Sequence, residues 1–451
     1  MKDLMFNLKL RYFKIVSVVA VLTVFLFFYY DNREERIFFN ENYILLGGSL
    51  SNDSVCHLPI NINPFDESLT KYLTDLPKSI ECKYQSDSKN NLTFIDSSGI
   101  LRQTFLYFKC KYKFFDRLEN DDNLIVYKQL SNLDPKNGVP MDNNSFVAVE
   151  CFDLSLRRVY QNTHFWFGVT QNQSENQSNS EPLKPSVLVL VIESLSRVNY
   201  LRFMRQTRHS LEKFGSVVYM KGLTKLADNS FPNMVPFLTG RRVWSNELQN
   251  EDFGPYDDWP FIWKEFSKIG YKTALIEDYP TFTLFNYESK GFVKKPTDWY
   301  PRPFWIHLFR DVSKILLGLV PFDLSGCYID RFPKIDIFLQ QIKHFINTSD
   351  SHLLPYFAFA FYIEVTHNDF NRVQTIDSHV SHFFEQMRQR LNNTIIILMV
   401  CLMTCFQFLI IKTIIYTKRE ITETDSDRYY RLSSEGLRKE CLYLASEYPI
   451  N

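Results

Sequence analysis

Four apolar runs of similar length stand out along the chain, each rich in β-branched or aromatic residues. They lie at 186–193, 271–278, 356–364 and 393–399. Continuous runs of this kind are typical of strands buried on both faces of a parallel sheet. Segments with helical periodicity separate them, including 261–270 and 376–391. This alternation predicts a doubly wound α/β domain over 186–399.

A longer apolar run, 15–30, lies near the start of the chain and carries no charge. With its flanking aromatic residues it approaches the ~20 residues that a membrane helix needs. Basic residues precede it and acidic residues follow it, so the positive-inside rule places 1–14 in the cytoplasm. We expect a single-pass type II membrane protein whose body lies in the secretory-pathway lumen or outside the cell. A cleaved signal peptide is the alternative, but no small-residue cleavage site follows the apolar core.

Seven N-x-S/T acceptor sequences lie in the part that we expect to be exported. The acceptors are Asn52, Asn91, Asn143, Asn172, Asn176, Asn347 and Asn392. Single acceptor sequences arise by chance, but seven in an exported body predict surface loops that carry N-linked glycans.

Residues 37–168 contain four cysteines and short alternating runs such as 145–154, which predict a small β-rich domain. The cysteines are Cys56, Cys82, Cys110 and Cys151. In an oxidising compartment an even set predicts two disulfides, with three pairings open. Cys327 is a later cysteine, either unpaired or a partner for one of the four. A zinc site is the alternative, but neither a C-x-x-C pair nor paired histidines accompany the set.

A polar segment rich in Gln, Asn and Ser, 169–185, separates the β-rich region from the α/β region and is a linker by composition. Across the whole chain 51 basic residues balance 51 acidic residues. This balance argues against a nucleic-acid partner, since nucleic-acid-binding domains normally present a basic face.

Candidate chemistry lies at the carboxyl ends of the predicted strands, where open α/β sheets place their sites. Glu193 ends the first strand and is a candidate ligand for a hard cation. Alternatively, it belongs to an N-cap network with Ser194 and Ser196. Ser230 precedes a predicted helix, whose N-terminus favours a phosphoryl or sulfuryl anion. Its hydroxyl is a candidate nucleophile if a metal or base lowers the pKa, or an ordinary N-cap.

Five segments occur in the order found in a known group of proteins. They are VLVLVIESLSR (187–197), DNSFPNMVPFLTGRR (228–242), WPFIWKEFSKIGYKTALIED (259–278), GFVKKPTDWYPRP (291–303) and FYIEVTHNDFN (361–371). Together they resemble a nematode-expanded family of uncharacterised membrane-anchored proteins. That family is in turn similar to sulfatases and nucleotide pyrophosphatase/phosphodiesterases of the alkaline phosphatase superfamily. The resemblance covers about 184–399.

The resemblance implies roles for four residues. Glu193 stands at the position of a metal-ligating acid, usually Asp, and Ser230 at that of the nucleophile. Asn233 matches an Asn that contacts the substrate anion, and His367 matches an anion-binding His. The implied cofactor is a divalent metal, zinc or calcium, weakly bound or absent here, and the implied substrate is a phosphoester or an anionic glycan. Met234 replaces the Arg of the sulfatase pattern, so maturation to an aldehyde nucleophile is not expected.

The largest departure from the resemblance follows the last predicted strand. In the superfamily this strand ends in a metal-binding Asp-His pair, and no Asp-His occurs in this sequence. The chain also ends before a final ligating His is expected. We therefore expect 400–451 to be a divergent tail, in which 400–428 replace a normal segment, as an unspliced intron or a divergent copy would.

The run 394–411 allows two incompatible structures. It has 18 residues without charge and is followed by Lys412, which suits a second membrane helix. The resemblance to the superfamily instead favours a last core strand of the α/β sheet. The expected function is a membrane-anchored lumenal or extracellular glycoprotein with a catalytically impaired sulfatase/phosphodiesterase-like domain. The alternatives are an active metal-dependent phosphate- or sulfate-ester hydrolase, and a non-catalytic binding module for sulfated or phosphorylated glycans.

Overall fold

A computed structural model describes most of the chain after its first 62 residues. The described residues are 63–82, 91–169, 184–220, 226–315, 326–328, 332–400 and 407–412. They all belong to one compact unit, Leu58–Asn451. The predicted membrane anchor 15–30, the acceptors Asn52, Asn172 and Asn176, and Cys56 lie outside them. Among the described residues, no helix has the length and apolarity that a bilayer crossing requires.

The described residues form strands first and then alternating strands and helices. The strands are β1 Thr93–Ile95, β2 Ile100–Gln103, β3 Lys109–Leu118, β4 Asp121–Tyr127, β5 Ser131–Asn132, β6 Val139–Pro140, β7 Phe146–Phe152, β8 Arg158–Phe165, β9 Ser186–Ile192, β10 Ser216–Met220, β11 Lys272–Glu277, β12 Cys327–Tyr328, β13 Phe332–Pro333, β14 Tyr356–Tyr362, β15 Thr394–Val400 and β16 Gln407–Lys412. The α-helices are α1 Arg197–Phe203, α2 Arg205–Glu212, α3 Phe231–Thr239, α4 Ile262–Lys268, α5 Arg302–Ile315, α6 Lys334–Ser351 and α7 Asp377–Met387.

The central sheet has the strand order β10-β16-β15-β9-β14-β11. Strands β15, β9, β14 and β11 run parallel to one another, whereas β16 runs antiparallel to both β15 and β10. All four apolar runs singled out in the sequence are strands of this sheet. The predicted α/β fold is therefore confirmed.

The sheet is covered on both faces, which explains why its strands are apolar throughout. Along β9, Leu188 and Leu190 pack into one buried cluster with residues of α6 and α7. The alternate residues, Val189 and Val191, pack into a second cluster with residues of α3 and α4. Successive side chains of a strand point to opposite faces, so a strand between two helical layers needs apolar residues at every position.

The first part of the described chain is β-rich, as expected. Its larger sheet has the order β4-β3-β7-β8, with β5 paired to β3. One face of β7 presents Val147 and Val149 to a small cluster of its own. The other face presents Phe146 and Ala148 to the cluster that also contains Leu190 of the central sheet. The two regions therefore share one hydrophobic core.

The segment 394–411, for which both a strand and a membrane helix were open, supplies two strands. β15 lies in parallel register with β9, with Met399 opposite Val191. β16 pairs with β15 in antiparallel register. In the structure 394–400 and 407–411 are therefore strands of the sheet, and 401–406 lie outside the described residues.

The described residues contain two disulfides, and one of them corrects the prediction. Cys110 pairs with Cys151 across β3 and β7, as the four-cysteine set allowed. Cys82 pairs with Cys327, outside that set, so the prediction of two bonds within the set is wrong. Residues 63–82 run along the α/β layer, where Ile80 donates its N–H to His379 Nε2 at 3.4 Å, and this path brings Cys82 to β12. Disulfide-bonded sulfurs are not zinc thiolates, so these four cysteines provide no zinc site.

Non-reducing peptide mapping tests these bonds. We expect one linked peptide pair that joins Cys82 to Cys327 and a second that joins Cys110 to Cys151. Reduction before digestion should release all four peptides and provides the control. A peptide that links Cys82 to Cys56 would contradict the path of residues 63–82.

Candidate functional site

Glu193 is the first residue after β9, at the carboxyl edge of the central sheet. Its backbone N–H donates to the Tyr362 carbonyl at 2.9 Å, which continues the pairing with β14. The side chain is 8% exposed. Its Oε1 accepts a hydrogen bond from Ser230 Oγ at 2.5 Å, while Oε2 is buried without a hydrogen-bond partner. One oxygen is thus bound to a hydroxyl and the other is left desolvated.

Burial has a direct effect on the charge of this carboxyl. It raises the pKa of Glu193 to about 7, against the lowering effect of the hydrogen bonds from Ser230 and Ser194. A carboxyl with this pKa is present in both protonated and ionised forms near neutral pH. The site therefore changes charge in the physiological range.

Ser230 directly precedes α3, and Pro232 lies in the first turn of that helix. The Ser230 hydroxyl makes no capping bond to the helix and donates to Glu193 instead. Ser230 thus occupies the N-cap position of α3 without the side-chain bond of an ordinary N-cap. In the loop after β9, Ser196 caps α1 by accepting from the Asn199 N–H at 3.1 Å. Glu193 takes no part in this cap, and its Oε1 accepts from Ser230 and, at 3.5 Å, from Ser194.

Asn233 holds the loop that leads to Ser230. Its amide oxygen accepts from the backbone N–H groups of Leu226 at 2.7 Å and Ala227 at 3.3 Å. Its amide nitrogen donates to the carbonyls of Ala227 and Asn229, both at 2.6 Å. Both amide hydrogens are used in this way, so in this conformation the side chain positions the loop and has no donor left for a substrate anion.

His367 lies at the same edge of the sheet, after β14. The neighbouring Thr366 donates its hydroxyl to the Glu193 carbonyl, which joins the two loops. The ring of His367 packs on Phe282 with centroids 4.5 Å apart, and Nδ1 contacts Asn368 Oδ1 at 3.1 Å. The structure thus brings Glu193 and Ser230 into direct contact and places His367 nearby, without a hydrogen bond to either of them.

Two further acids at this edge were not among the candidates predicted from the sequence. Glu277 ends β11 and accepts from the Leu284 N–H at 2.8 Å. Asp278 accepts from the N–H groups of Ile363 at 2.6 Å and Glu364 at 3.2 Å. Burial raises the pKa of Glu277 to about 7, and burial together with Glu364 raises that of Asp278. Both acids end the apolar run 271–278, so the strand-end rule that selected Glu193 would also have selected them.

The described residues do not fit the divalent metal that the resemblance implies. They contain no group of three His, Cys, Asp or Glu side chains that could hold an ion. Glu193 and Ser230 offer oxygen donors, but both Asp278 carboxylate oxygens are already bound to backbone N–H groups. Hard cations take six or more oxygen ligands, and zinc takes four ligands. We derive no catalytic step through a metal.

Several solved structures resemble the fold at low similarity. One is described as Ps i-CgsB in complex with k-i-k-neocarrahexaose, with 15% identity, coverage of 50% of this chain and 65% of that chain, and a TM-score of 0.32. A second is an inactive form of murine ectonucleotide pyrophosphatase / phosphodiesterase 5 in complex with AMP. Its identity is 12%, the match covers 48% of this chain and 56% of that chain, and the TM-score is 0.31. A third is the lipoteichoic acid synthase LtaP from Listeria monocytogenes. Its identity is 11%, the match covers 51% of this chain and 60% of that chain, and the TM-score is 0.32.

The match spans less than two thirds of each of these chains. No curated protein matches the chain. A family model described as "Protein of unknown function (DUF229)" matches residues 72–400, which is most of the chain. The chain therefore belongs to the DUF229 family.

Proposed function

We propose that this chain is a membrane-anchored glycoprotein with a sulfatase/phosphodiesterase-like domain in the lumen or outside the cell. The domain binds a phosphate or sulfate ester, such as that of an anionic glycan, at Ser230 and turns it over weakly or not at all. Two exposed acceptors in the described part, Asn143 and Asn392, support the glycoprotein assignment. The uncharged run 15–30 supports the anchor.

One observation carries the site assignment, namely the hydrogen bond from Ser230 Oγ to Glu193 Oε1. It holds a half-buried hydroxyl at the start of α3, where backbone N–H groups and the helix dipole favour negative charge. It also places that hydroxyl at the carboxyl end of a central parallel strand, the usual ligand position in open α/β sheets. When Glu193 is protonated, its carboxyl can donate to the Ser230 oxygen, and the Ser230 hydroxyl is then free to donate a hydrogen bond to an ester anion at this place.

Turnover needs both a base for Ser230 and a group that neutralises the leaving oxygen. For Ser230 to attack an ester, its proton must pass to Glu193, the carboxyl that it contacts. A carboxylate with a pKa of about 7 can take that proton near neutral pH. Nothing among the described side chains near Glu193 forms a metal site that would neutralise the leaving oxygen. We therefore expect binding without efficient hydrolysis.

An active hydrolase is the second candidate, and the geometry of one contact favours it. A separation of 2.5 Å between Ser230 Oγ and Glu193 Oε1 lies at the short end of hydrogen bonds between hydroxyls and carboxylates, and this is the contact that a nucleophile and its base make. Turnover measurements distinguish this candidate from the binding module.

Replacing Ser230 tests the site. In the full chain in detergent, Ser230→Ala should weaken binding of p-nitrophenyl phosphate and p-nitrophenyl sulfate about tenfold, the effect of losing one hydrogen bond of ~1.4 kcal/mol. Calorimetry measures the affinity. Ser267→Ala is the matched control, because Ser267 is an exposed helical serine far along the chain from the site.

Release of p-nitrophenol from the same esters decides between the two candidates. We expect no release above that of the Ser230→Ala variant, with or without added Zn²⁺ or Ca²⁺. Metal-stimulated release that Ser230→Ala abolishes would establish the active hydrolase. Unchanged binding in Ser230→Ala would contradict the site assignment altogether.

The raised pKa of Glu193 predicts a pH profile for binding. An anion beside Glu193 is favoured when the carboxyl is protonated, so affinity should fall as pH rises through about 7, by about tenfold per pH unit above it. A sulfate ester suits the measurement, because its own charge does not change between pH 6 and 8. Glu193→Gln should bind with an affinity that is flat over this range. An affinity that rises with pH would contradict the role of Glu193.

A further inference from the structure

A tryptophan close to the candidate site is held in a strained backbone conformation. Trp244 lies in the loop that follows α3 and has a φ of 57°. A positive φ is a genuine outlier for a bulky residue, because its Cβ then crowds the neighbouring carbonyl oxygen. Such strain persists only where the surrounding structure enforces it, and it is concentrated at functional sites. The conformation of Trp244 therefore needs a compensating gain, either in packing or in function.

Carboxylates hold the loop around Trp244. Glu251 accepts hydrogen bonds from the backbone N–H groups of Trp244 at 2.5 Å and Leu248 at 3.2 Å. Glu247 accepts a further bond from the Arg242 N–H at 3.1 Å. These bonds fix the backbone of the loop and leave Trp244 60% exposed. Burial in the core is therefore not the gain that compensates the strain, because most of the indole faces solvent.

The exposed indole adjoins the candidate site. Its ring contacts that of Phe231, with centroids 6.3 Å apart and an angle of 52° between the planes. Phe231 directly follows Ser230 and is the first residue of α3. One side chain therefore separates the Trp244 ring from Ser230. A ligand whose ester lies at Ser230 can bring a ring attached to that ester over the indole.

A second exposed ring lies on the loop after β11. Tyr287 is 53% exposed and stacks on Phe282, with centroids 5.4 Å apart and planes 17° apart. Phe282 also packs on His367 at 4.5 Å. The residue after Tyr287, Glu288, again has a positive φ of 50°. The loops that reach Ser230 and His367 thus each present an exposed aromatic ring beside a backbone outlier.

Polar residues flank the exposed indole. Arg242 and Asn246, two positions before and two positions after Trp244, are both exposed. A sugar ring suits this combination, because its C–H face packs on an aromatic ring while its hydroxyls hydrogen-bond to amides and charged groups. A second sulfate or phosphate on the same glycan can pair with Arg242. A planar aromatic ligand without hydroxyls would make no use of these side chains.

We propose that Trp244 is a sugar-binding platform that selects a glycan as the carrier of the ester, with Tyr287 as a second ring beside His367. This inference rests on the proposed function, since it requires the ester to lie at Ser230. The fixed loop presents the indole in its binding orientation, so little conformational entropy is lost when the sugar stacks on it. Contact with the ligand is then the gain that compensates the strained backbone of Trp244.

A pair of sulfate esters tests the platform in the full chain in detergent. N-acetylglucosamine 6-sulfate carries a sugar ring, whereas ethyl sulfate has the same ester charge and no ring. Ligand-detected NMR titration measures both affinities. Trp244→Gly should reduce the preference for the sugar ester over ethyl sulfate about tenfold, the effect of losing one stacked ring. Tyr107→Ala is the matched control, because Tyr107 is a 62% exposed aromatic residue in the turn between β2 and β3.

The melting temperature separates a role in binding from a role in folding. Glycine adopts a φ near 57° without strain, so Trp244→Gly should melt at the same temperature as the unsubstituted chain or higher. Trp244→Phe, which keeps a flat ring, should retain most of the preference for the sugar ester. A lower melting temperature for Trp244→Gly would assign the indole to the fold and overturn the proposal.

Ser230→Ala distinguishes failure of the platform from failure of the proposed function. If Ser230→Ala weakens binding of both esters while Trp244→Gly leaves their preference unchanged, the platform is wrong and the site at Ser230 stands. If neither ester binds the unsubstituted chain, both the platform and the proposed function are wrong. If Trp244→Gly weakens binding of p-nitrophenyl sulfate but not of the sugar ester, the ring that stacks is a planar aromatic and the glycan assignment is overturned.

Discussion

Burial of β9 on both faces and along both edges is the constraint on which the site depends. β14 pairs with it on one side and β15 on the other, while helical layers cover its two faces. A strand in this position cannot carry a polar side chain before its last residue without a partner. The first polar side chain after β9 is therefore Glu193, at the edge where the neighbouring parallel strands also end.

The chemistry of the site follows from that position. Because the sheet edge is packed, Glu193 keeps one oxygen without a partner and its pKa rises to about 7. The raised pKa couples folding to pH. The folded state binds the Glu193 carboxyl proton more tightly than the unfolded state does, so this carboxyl stabilises the fold at low pH. That contribution is lost as pH rises from the ordinary value of 4.5 towards 7. Glu277, at the end of β11, acts in the same direction.

Much of this arrangement could be predicted from local sequence. Continuous apolar runs identify β9, β11, β14 and β15, the strand-end rule selects Glu193, and the start of a predicted helix selects Ser230. The pairing of Cys82 with Cys327 could not be predicted, because it joins residues 245 positions apart and depends on the path of 63–82 over the α/β layer. The use of the Asn233 amide within its own loop depends on backbone geometry that composition does not encode. The membrane anchor, the glycans and the substrate stay predictions.

The central claim is that Glu193 is a desolvated carboxyl which shares a hydrogen bond with Ser230. Isotope-edited infrared titration of its carboxyl stretch, assigned by the loss of the band in Glu193→Gln, measures this most directly. The account predicts a midpoint near 7 in the unsubstituted chain. It also predicts a higher midpoint in Ser230→Ala, because the serine bond lowers the pKa. A midpoint near the ordinary value of 4.5, unmoved by Ser230→Ala, would contradict it.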